Sequence, residues 1–110
     1  MITFNLTLED MPSRDKKLSN IAKVENFKSS KSGQPIANQF IITLQNGIEV
    51  FQSYNSIIAV KANNETYLDE NRWNYSRTTS RYRNQFLNET TVETVKKIGF
   101  GNYTMVDLNK

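Results

Sequence analysis

The dipeptide Asn46-Gly47 lies between two stretches of alternating apolar residues, and this arrangement constrains the fold more than any other feature of the sequence. Apolar side chains alternate from Phe40 to Leu44 and again from Ile48 to Tyr54, the period of a half-buried strand. Asn-Gly is the preferred central pair of a type I′ turn, because both positions need a positive φ. We therefore predict a β-hairpin with a type I′ turn in the middle of the chain.

Other segments with strand patterns lie on both sides of this hairpin. Residues 56–62 form a nearly continuous apolar run, which is typical of a strand buried on both faces. Residues 18–27 fit either a strand or a short helix, and we favour the strand. Asn63-Asn64 suits a tight turn, and residues 103–106 fit a last strand or an extended tail. The predicted flanking strands are residues 2–8, 18–27, 56–62, 66–69 and 103–106, with a turn or loop at 9–17.

The apolar period changes to that of a helix after residue 77. Thr78 or Thr79 can cap a helix that runs to about residue 88. Its side chains Tyr82 and Phe86, four positions apart, would share the face that packs on the sheet. The pattern Thr-Thr-Val-Glu at 90–93 fits a capping box and predicts a short second helix.

Together these elements predict an α+β fold in a single domain comprising residues 1–110. We expect an antiparallel sheet of four to six strands, with one principal helix (about 78–88) packed on one face.

The composition argues against an enzyme. The chain has no Cys and no His, so it lacks a thiolate, the usual zinc and haem ligands, and the side chain that titrates near neutral pH. Asp69-Glu70 would need a third carboxylate to hold Mg²⁺, and the commoner explanation is an exposed strand end. We expect no catalytic residues, no metal site and no cofactor. We see no secretory signal and no apolar run of membrane-spanning length, so we expect a cytoplasmic protein.

One basic and aromatic segment is the candidate binding site. Four of the five arginines lie between residues 71 and 83, with no acidic residue among them. Arginine, tyrosine and tryptophan favour both nucleic-acid binding and protein–protein contacts. They are also compatible with a purely structural role, in which the aromatic residues belong to the core. The candidate macromolecule-binding residues are Arg72, Trp73, Tyr75, Arg77, Arg81 and Arg83.

Two motifs point to a family. Ser53 to Ala59 reads Ser-Tyr-Asn-Ser-Ile-Ile-Ala, and Tyr75 to Tyr82 reads Tyr-Ser-Arg-Thr-Thr-Ser-Arg-Tyr, followed by Phe86-Leu87. This combination resembles a small domain from phages, plasmids and other mobile elements of Gram-positive bacteria, with the pattern Ser-Tyr-x-Thr-x-Ile-Ala and then Tyr-Ser-x-Thr-Thr. The chain departs from that pattern at Ser56, where Thr is usual, and at Arg81-Tyr82, where Lys-His is common. The resemblance covers about residues 40–87.

The resemblance implies a biological setting. Small stand-alone proteins of mobile elements often antagonise host defence, and anti-CRISPR proteins are the best-known class. Our first hypothesis is a phage-type accessory protein that inhibits a host defence complex, such as a CRISPR effector, by protein–protein contact in the cytoplasm of the bacterial host. The second is a small nucleic-acid-binding module that uses the Arg and aromatic segment. The third is a phage structural or assembly protein.

Overall fold

The computed structural model describes residues 21–110 as six strands and two helices. The predicted strand at 2–8 and the loop at 9–17 lie outside the described residues. The α+β fold class is confirmed, and the segment 18–27 is a strand in its described part. The elements in chain order are β1 (Ile21–Lys28), β2 (Pro35–Leu44), β3 (Glu49–Ser53), β4 (Ser56–Ala62), β5 (Glu65–Asp69), α1 (Arg77–Leu87), α2 (Thr91–Gly99) and β6 (Tyr103–Val106).

The strands form one mixed sheet in the order β1-β2-β3-β4-β5-β6. Neighbours from β1 to β5 are antiparallel, as predicted, whereas β6 runs parallel to β5. Parallel neighbours need a crossover connection, because a tight turn can only reverse the chain. Residues 70–102 supply that crossover and contain both helices, and both pack on the same face of the sheet, where Phe86 of α1 and Ile98 of α2 join one apolar cluster.

The turn between β2 and β3 differs from the predicted type I′. Gly47 has a φ of 90°, but Asn46 is not in the left-handed region. The Gly47 N–H donates to the Leu44 carbonyl at 2.9 Å, and the Leu44 N–H donates to the Ile48 carbonyl at 2.9 Å. This pattern fits a three-residue loop closed by a left-handed glycine. The Asn46 side chain favours it, because its Oδ1 accepts from the Ile48 N–H at 3.2 Å.

Apolar side chains cover both faces of the central strands. On the helix side, Phe51 and Leu68 pack with Tyr82 and Phe86 of α1. The neighbouring residues along each strand point to the opposite face, where Val50 belongs to a second buried cluster. The prediction that β4 is buried on both faces is confirmed by its four buried residues, Ile58, Ala59, Val60 and Ala62.

The helix starts show how local sequence fixes the crossover. Ser76, rather than Thr78 or Thr79, caps α1, and its hydroxyl accepts from the Thr79 N–H. The predicted capping box of α2 is confirmed: Thr90 and Glu93 each bond the other's backbone N–H, at 3.1 and 2.8 Å. Neither helix within residues 21–110 is long and apolar enough to cross a membrane.

Truncating the α1 side chain that contacts the sheet core should destabilise the fold strongly. The Phe86 ring is buried and lies 5.8 Å from the Phe51 ring. We expect Phe86→Ala to lower the free energy of unfolding by about 3–5 kcal/mol, measured by urea denaturation. The matched control is Phe100→Ala, which removes a ring that is 79% exposed and should change stability by less than about 0.5 kcal/mol. Equal losses in the two variants would contradict this packing.

Candidate functional site

The six candidate binding residues do not share one surface. Tyr75, Arg77 and Arg81 are exposed. Arg72 is partly exposed and lies 3.9 Å from the Asp69 carboxylate. The remaining two face inward: Trp73 is half-buried against the helix-side core, and Arg83 has no exposed surface. Arg83 therefore does not belong to a binding surface, and the prediction is corrected for this residue.

Arg83 is a buried cation that connects three parts of the crossover. Its Nη1 donates to the Trp73 carbonyl at 2.6 Å and to Asn74 Oδ1 at 3.0 Å. Its Nη2 donates to Asn84 Oδ1 at 2.9 Å and to Thr91 Oγ1 at 2.8 Å. One guanidinium thus holds the loop before α1, the body of α1 and the first residue of α2 together.

All four of these acceptors are neutral. Burial lowers the pKa of Arg83 from its ordinary value, and the charge of nearby Glu89 partly offsets that effect. The Trp73 ring adds a cation–π contact, with its centroid 5.1 Å from the guanidinium carbon. A buried charge is tolerated only when hydrogen bonds compensate for its lost hydration, so the loop geometry around Arg83 is tightly specified.

Asp69, which was considered above as a metal ligand, is buried and accepts several hydrogen bonds. Its buried carboxylate accepts from the Leu108 N–H at 2.8 Å, Asn109 Nδ2 at 3.0 Å and the Asn71 N–H at 3.1 Å. Within residues 21–110 no three acidic side chains are placed to hold a metal ion. These hydrogen bonds fasten the C-terminal tail to the end of β5, next to the Arg72 loop.

A buried hydroxyl pair joins the two motifs of the sequence. Ser53, at the end of β3, and Thr79, in the first turn of α1, have no exposed surface, and their hydroxyl oxygens lie 2.9 Å apart. The end of β3 is therefore packed against the start of α1. Tyr54, which follows Ser53, and Tyr75, which precedes the cap residue of α1, both project from this junction as exposed side chains.

Tyr54 has an unusual backbone conformation for a large side chain. Its φ is 56°, in the left-handed region that aromatic residues rarely adopt. The Tyr54 N–H donates to the Asn38 carbonyl at 2.7 Å, and Gln52 Nε2 donates to the Tyr54 carbonyl at 2.8 Å. Residues held in strained conformations concentrate at functional sites, so this exposed ring is a candidate contact residue.

The charges of α1 oppose the helix dipole. The N-terminal end of a helix is electropositive, and acidic side chains usually occupy its first turn. Here the first turn contains no acidic residue, and Arg77 begins the helix. We call the accessible residues of the β3–β4 turn, the loop before α1 and the first turns of α1 the arginine–tyrosine surface; its members are Tyr54, Arg72, Tyr75, Arg77 and Arg81.

Helix α2 exposes its two valines, while its Ile98 packs against the helix-side core. Its one fully buried residue is polar Thr94, whereas Val92 and Val95 are exposed. These two residues, together with exposed Phe100 at the helix end, form what we call the α2 outer face. Valine is a poor helix former, so folding alone does not explain two valines on the solvent side of a short helix.

The inner side of α2 is held by a polar network around Glu89. The Glu89 carboxylate accepts from Thr94 Oγ1 at 2.5 Å, Lys97 Nζ at 2.7 Å and the Tyr103 hydroxyl at 2.8 Å. Burial alone would raise the pKa of Glu89, but the hydrogen bonds from Lys97, Thr94 and Tyr103 outweigh it, so the pKa is lowered. Burial and the bond to Glu89 raise the pKa of Tyr103 to about 12. This network fixes α2 against β6.

Comparison with known protein families identifies the family to which the chain belongs. A model of a family of unknown function, DUF8033, matches residues 22–102, which span β1 to α2. The chain belongs to this family. No curated protein and no solved structure matches it.

In this DUF8033 protein, sequence patterns identified some surface residues and missed others. The density of arginine and tyrosine pointed to Tyr75, Arg77 and Arg81 as candidate contact residues, and all three are exposed. The signal for Tyr54 was present in its motif, but its exposure depends on a turn whose conformation the sequence did not predict. The two valines of the α2 outer face carried a signal in the sequence, because Val92 and Val95 are three positions apart and therefore share one side of the helix, away from Thr94.

The four neutral acceptors of Arg83 predict that a lysine cannot replace it. Lysine keeps the charge but loses the planar fork, and its three N–H donors cannot satisfy all four acceptors. We expect Arg83→Lys to lower the free energy of unfolding of this DUF8033 protein by about 2–4 kcal/mol, measured by urea denaturation. Arg81→Lys, on the exposed side of the same helix, is the control and should be nearly neutral. A neutral Arg83→Lys would refute the bridging role.

The Glu89 network predicts a specific acid sensitivity. The lowered pKa means that the folded state favours the carboxylate, so this stabilisation is present above the unfolded pKa of about 4.3. It is lost as the pH falls through the lower folded value. We expect Glu89→Gln to reduce the free energy of unfolding at pH 7 by about 2 kcal/mol. Towards pH 3 the wild-type carboxyl is increasingly protonated, so the free energies of unfolding of wild type and variant should become more similar. Exposed Glu70→Gln is the control; a difference independent of pH would contradict the assignment.

Proposed function

We propose that this DUF8033 protein is a non-catalytic inhibitor, encoded by a phage or another mobile element, that binds a host defence complex by protein–protein contact. The observation that carries the proposal is the set of exposed contact-type side chains around the start of α1, held by buried hydrogen bonds. Tyrosine and arginine are enriched among the residues that dominate protein–protein binding energies. The resemblance to domains of mobile elements supports the setting, with a CRISPR effector as the candidate partner.

The rigidity of the arginine–tyrosine surface supports a binding role. Tyr75 and Arg77 flank the cap residue of α1, and the Ser53–Thr79 hydroxyl pair fixes that helix start on the sheet. Arg83 fixes the preceding loop through the Trp73 carbonyl. A surface that is ordered before binding loses less conformational entropy when a partner docks. Exposed side chains on this frame are therefore well placed to give useful affinity.

The α2 outer face favours a protein partner over nucleic acid. Nucleic-acid interfaces are more polar and more positively charged than protein interfaces. Val92, Val95 and Phe100 are exposed and apolar, and such side chains gain more from burial against protein than from contact with a phosphate backbone. The net charge of +3 is also modest for a protein that neutralises many phosphates.

Nucleic-acid binding is the second candidate, and one observation favours it. Arg77 and Arg81 are exposed near the electropositive end of α1, and no ion pair engages either of them among residues 21–110. Phosphate binding would weaken steeply as salt rises, because each neutralised phosphate releases counterions. An interface formed by tyrosine and apolar residues would depend far less on salt.

The deciding experiment is affinity capture from the lysate of a Gram-positive host, with and without nuclease, followed by mass spectrometry. We expect one defence complex, such as a CRISPR effector, to be retained after nuclease treatment and at elevated salt. The purified pair should then show inhibition of that complex. A diffuse set of proteins that disappears with nuclease would instead establish nucleic-acid binding, and capture of coat or assembly proteins would indicate a structural role.

Surface variants identify which residues make the contact. Tyr54→Asn removes the ring at a position where asparagine tolerates the left-handed backbone, and Arg77→Ala with Arg81→Ala removes two exposed charges. We expect either change to weaken binding at least about tenfold, as truncation of a central contact residue does. Lys23→Ala on β1 is the exposed control and should bind as wild type does. Wild-type affinity in both surface variants would exclude this surface as the site.

A further inference from the structure

Gln39 is the least satisfied polar side chain in the described part of the chain. It lies on β2 with no exposed surface, and neither its Nε2 nor its Oε1 has a hydrogen-bond partner in residues 21–110. A buried amide without partners is strongly unfavourable, because it has lost its bonds to water and gained none. A native fold keeps such a group only when something satisfies it.

The surroundings of Gln39 are polar on one side. Gln39 is the direct cross-strand partner of Ser53, so their side chains project to the same face of the sheet. This is the helix side, since Ile41, two residues along β2, packs in the helix-side cluster. Ser53 Oγ in turn lies 2.9 Å from Thr79 Oγ1 in the first turn of α1. The amide is thus next to a buried hydroxyl pair.

This hydroxyl pair has unused hydrogen-bonding capacity. Two hydroxyls carry two O–H donors, and the bond between Ser53 and Thr79 uses one of them. Each hydroxyl oxygen can also accept a further bond. The Gln39 amide offers two N–H donors and a carbonyl acceptor. Donors and acceptors are therefore present on both sides of the same buried site, without a direct bond between them.

We propose that one water molecule is buried at this site and bridges the Gln39 amide to the Ser53–Thr79 hydroxyl pair. Buried waters typically make about two to four hydrogen bonds to otherwise unsatisfied groups, and this site offers four partners. The water accepts from Gln39 Nε2 and donates to a hydroxyl oxygen, while the spare hydroxyl and the amide carbonyl complete the set. It joins β2, β3 and α1 directly beneath the Tyr54 turn.

The sign of one stability change tests the proposal. Methionine matches the length of glutamine without its polar atoms. If the water is present, Gln39→Met removes its bonds and should lower the melting temperature by about 4–8 °C. If the site is dry, the same change removes an unsatisfied amide and should raise the melting temperature. Gln45→Met, at an exposed position in the β2–β3 loop, is the matched control and should leave it unchanged.

A second measurement uses the unaltered chain, so the test does not rest on the Gln39→Met variant alone. In an NMR spectrum recorded in water, the Gln39 side-chain N–H₂ should show a cross-relaxation peak to water with the sign of a long-lived bound molecule. A fall in melting temperature together with this peak supports the buried water. A melting temperature equal to or above that of wild type would overturn the proposal, and so would the lack of a bound-water peak.

Discussion

The buried guanidinium of Arg83 is the interaction on which the helical half of this structure depends. Removing a guanidinium from water is unfavourable, and here no carboxylate accepts from it; the four acceptors are neutral groups from three segments. Because no carboxylate bonds the guanidinium directly, the neutral acceptors must be in place. The Trp73 carbonyl can be in place only if the loop folds, and Thr91 only if α2 starts at its observed position. One side chain thus makes the loop, α1 and α2 a single unit.

Polar side chains that bond several partners also hold the end of β5 and the C-terminal tail. The buried Asp69 carboxylate collects donors from the turn after β5 and from the C-terminal tail. Within that tail, the Asn109 amide both donates to and accepts from the backbone of Ile57, at 2.9 and 2.6 Å. This mimics a neighbouring strand where β5 no longer pairs with β4. A chain with a modest apolar fraction thereby obtains order from buried polar groups that each satisfy several backbone partners.

Residues close in sequence were predictable, and residues brought together from a distance were not. The β2–β3 hairpin, β4 and the buried face of α1 follow from periodicity, because alternation and helical spacing are local properties. The β2–β3 turn type was wrong because the Asn46 side chain bonds the backbone two residues on, which the Asn-Gly dipeptide does not reveal. Arg83 was misplaced for a different reason: the groups that make its burial tolerable lie ten residues before it and eight after it. The parallel pairing of β6 likewise depends on the length of the whole crossover.

Two surface features, the start of α1 and the outer face of α2, are not explained by folding alone. A helix start that must only fold would carry an acidic residue near its dipole, yet α1 begins with Arg77. A short helix that must only pack would turn its valines inward, yet α2 buries Thr94 and exposes Val92. Each choice is slightly unfavourable for the isolated chain, and each is accompanied by a rigid buried network beneath it. Local departures from folding rules are expected at functional sites, and the proposed binding to a partner would supply the contacts that these side chains lack in the isolated chain.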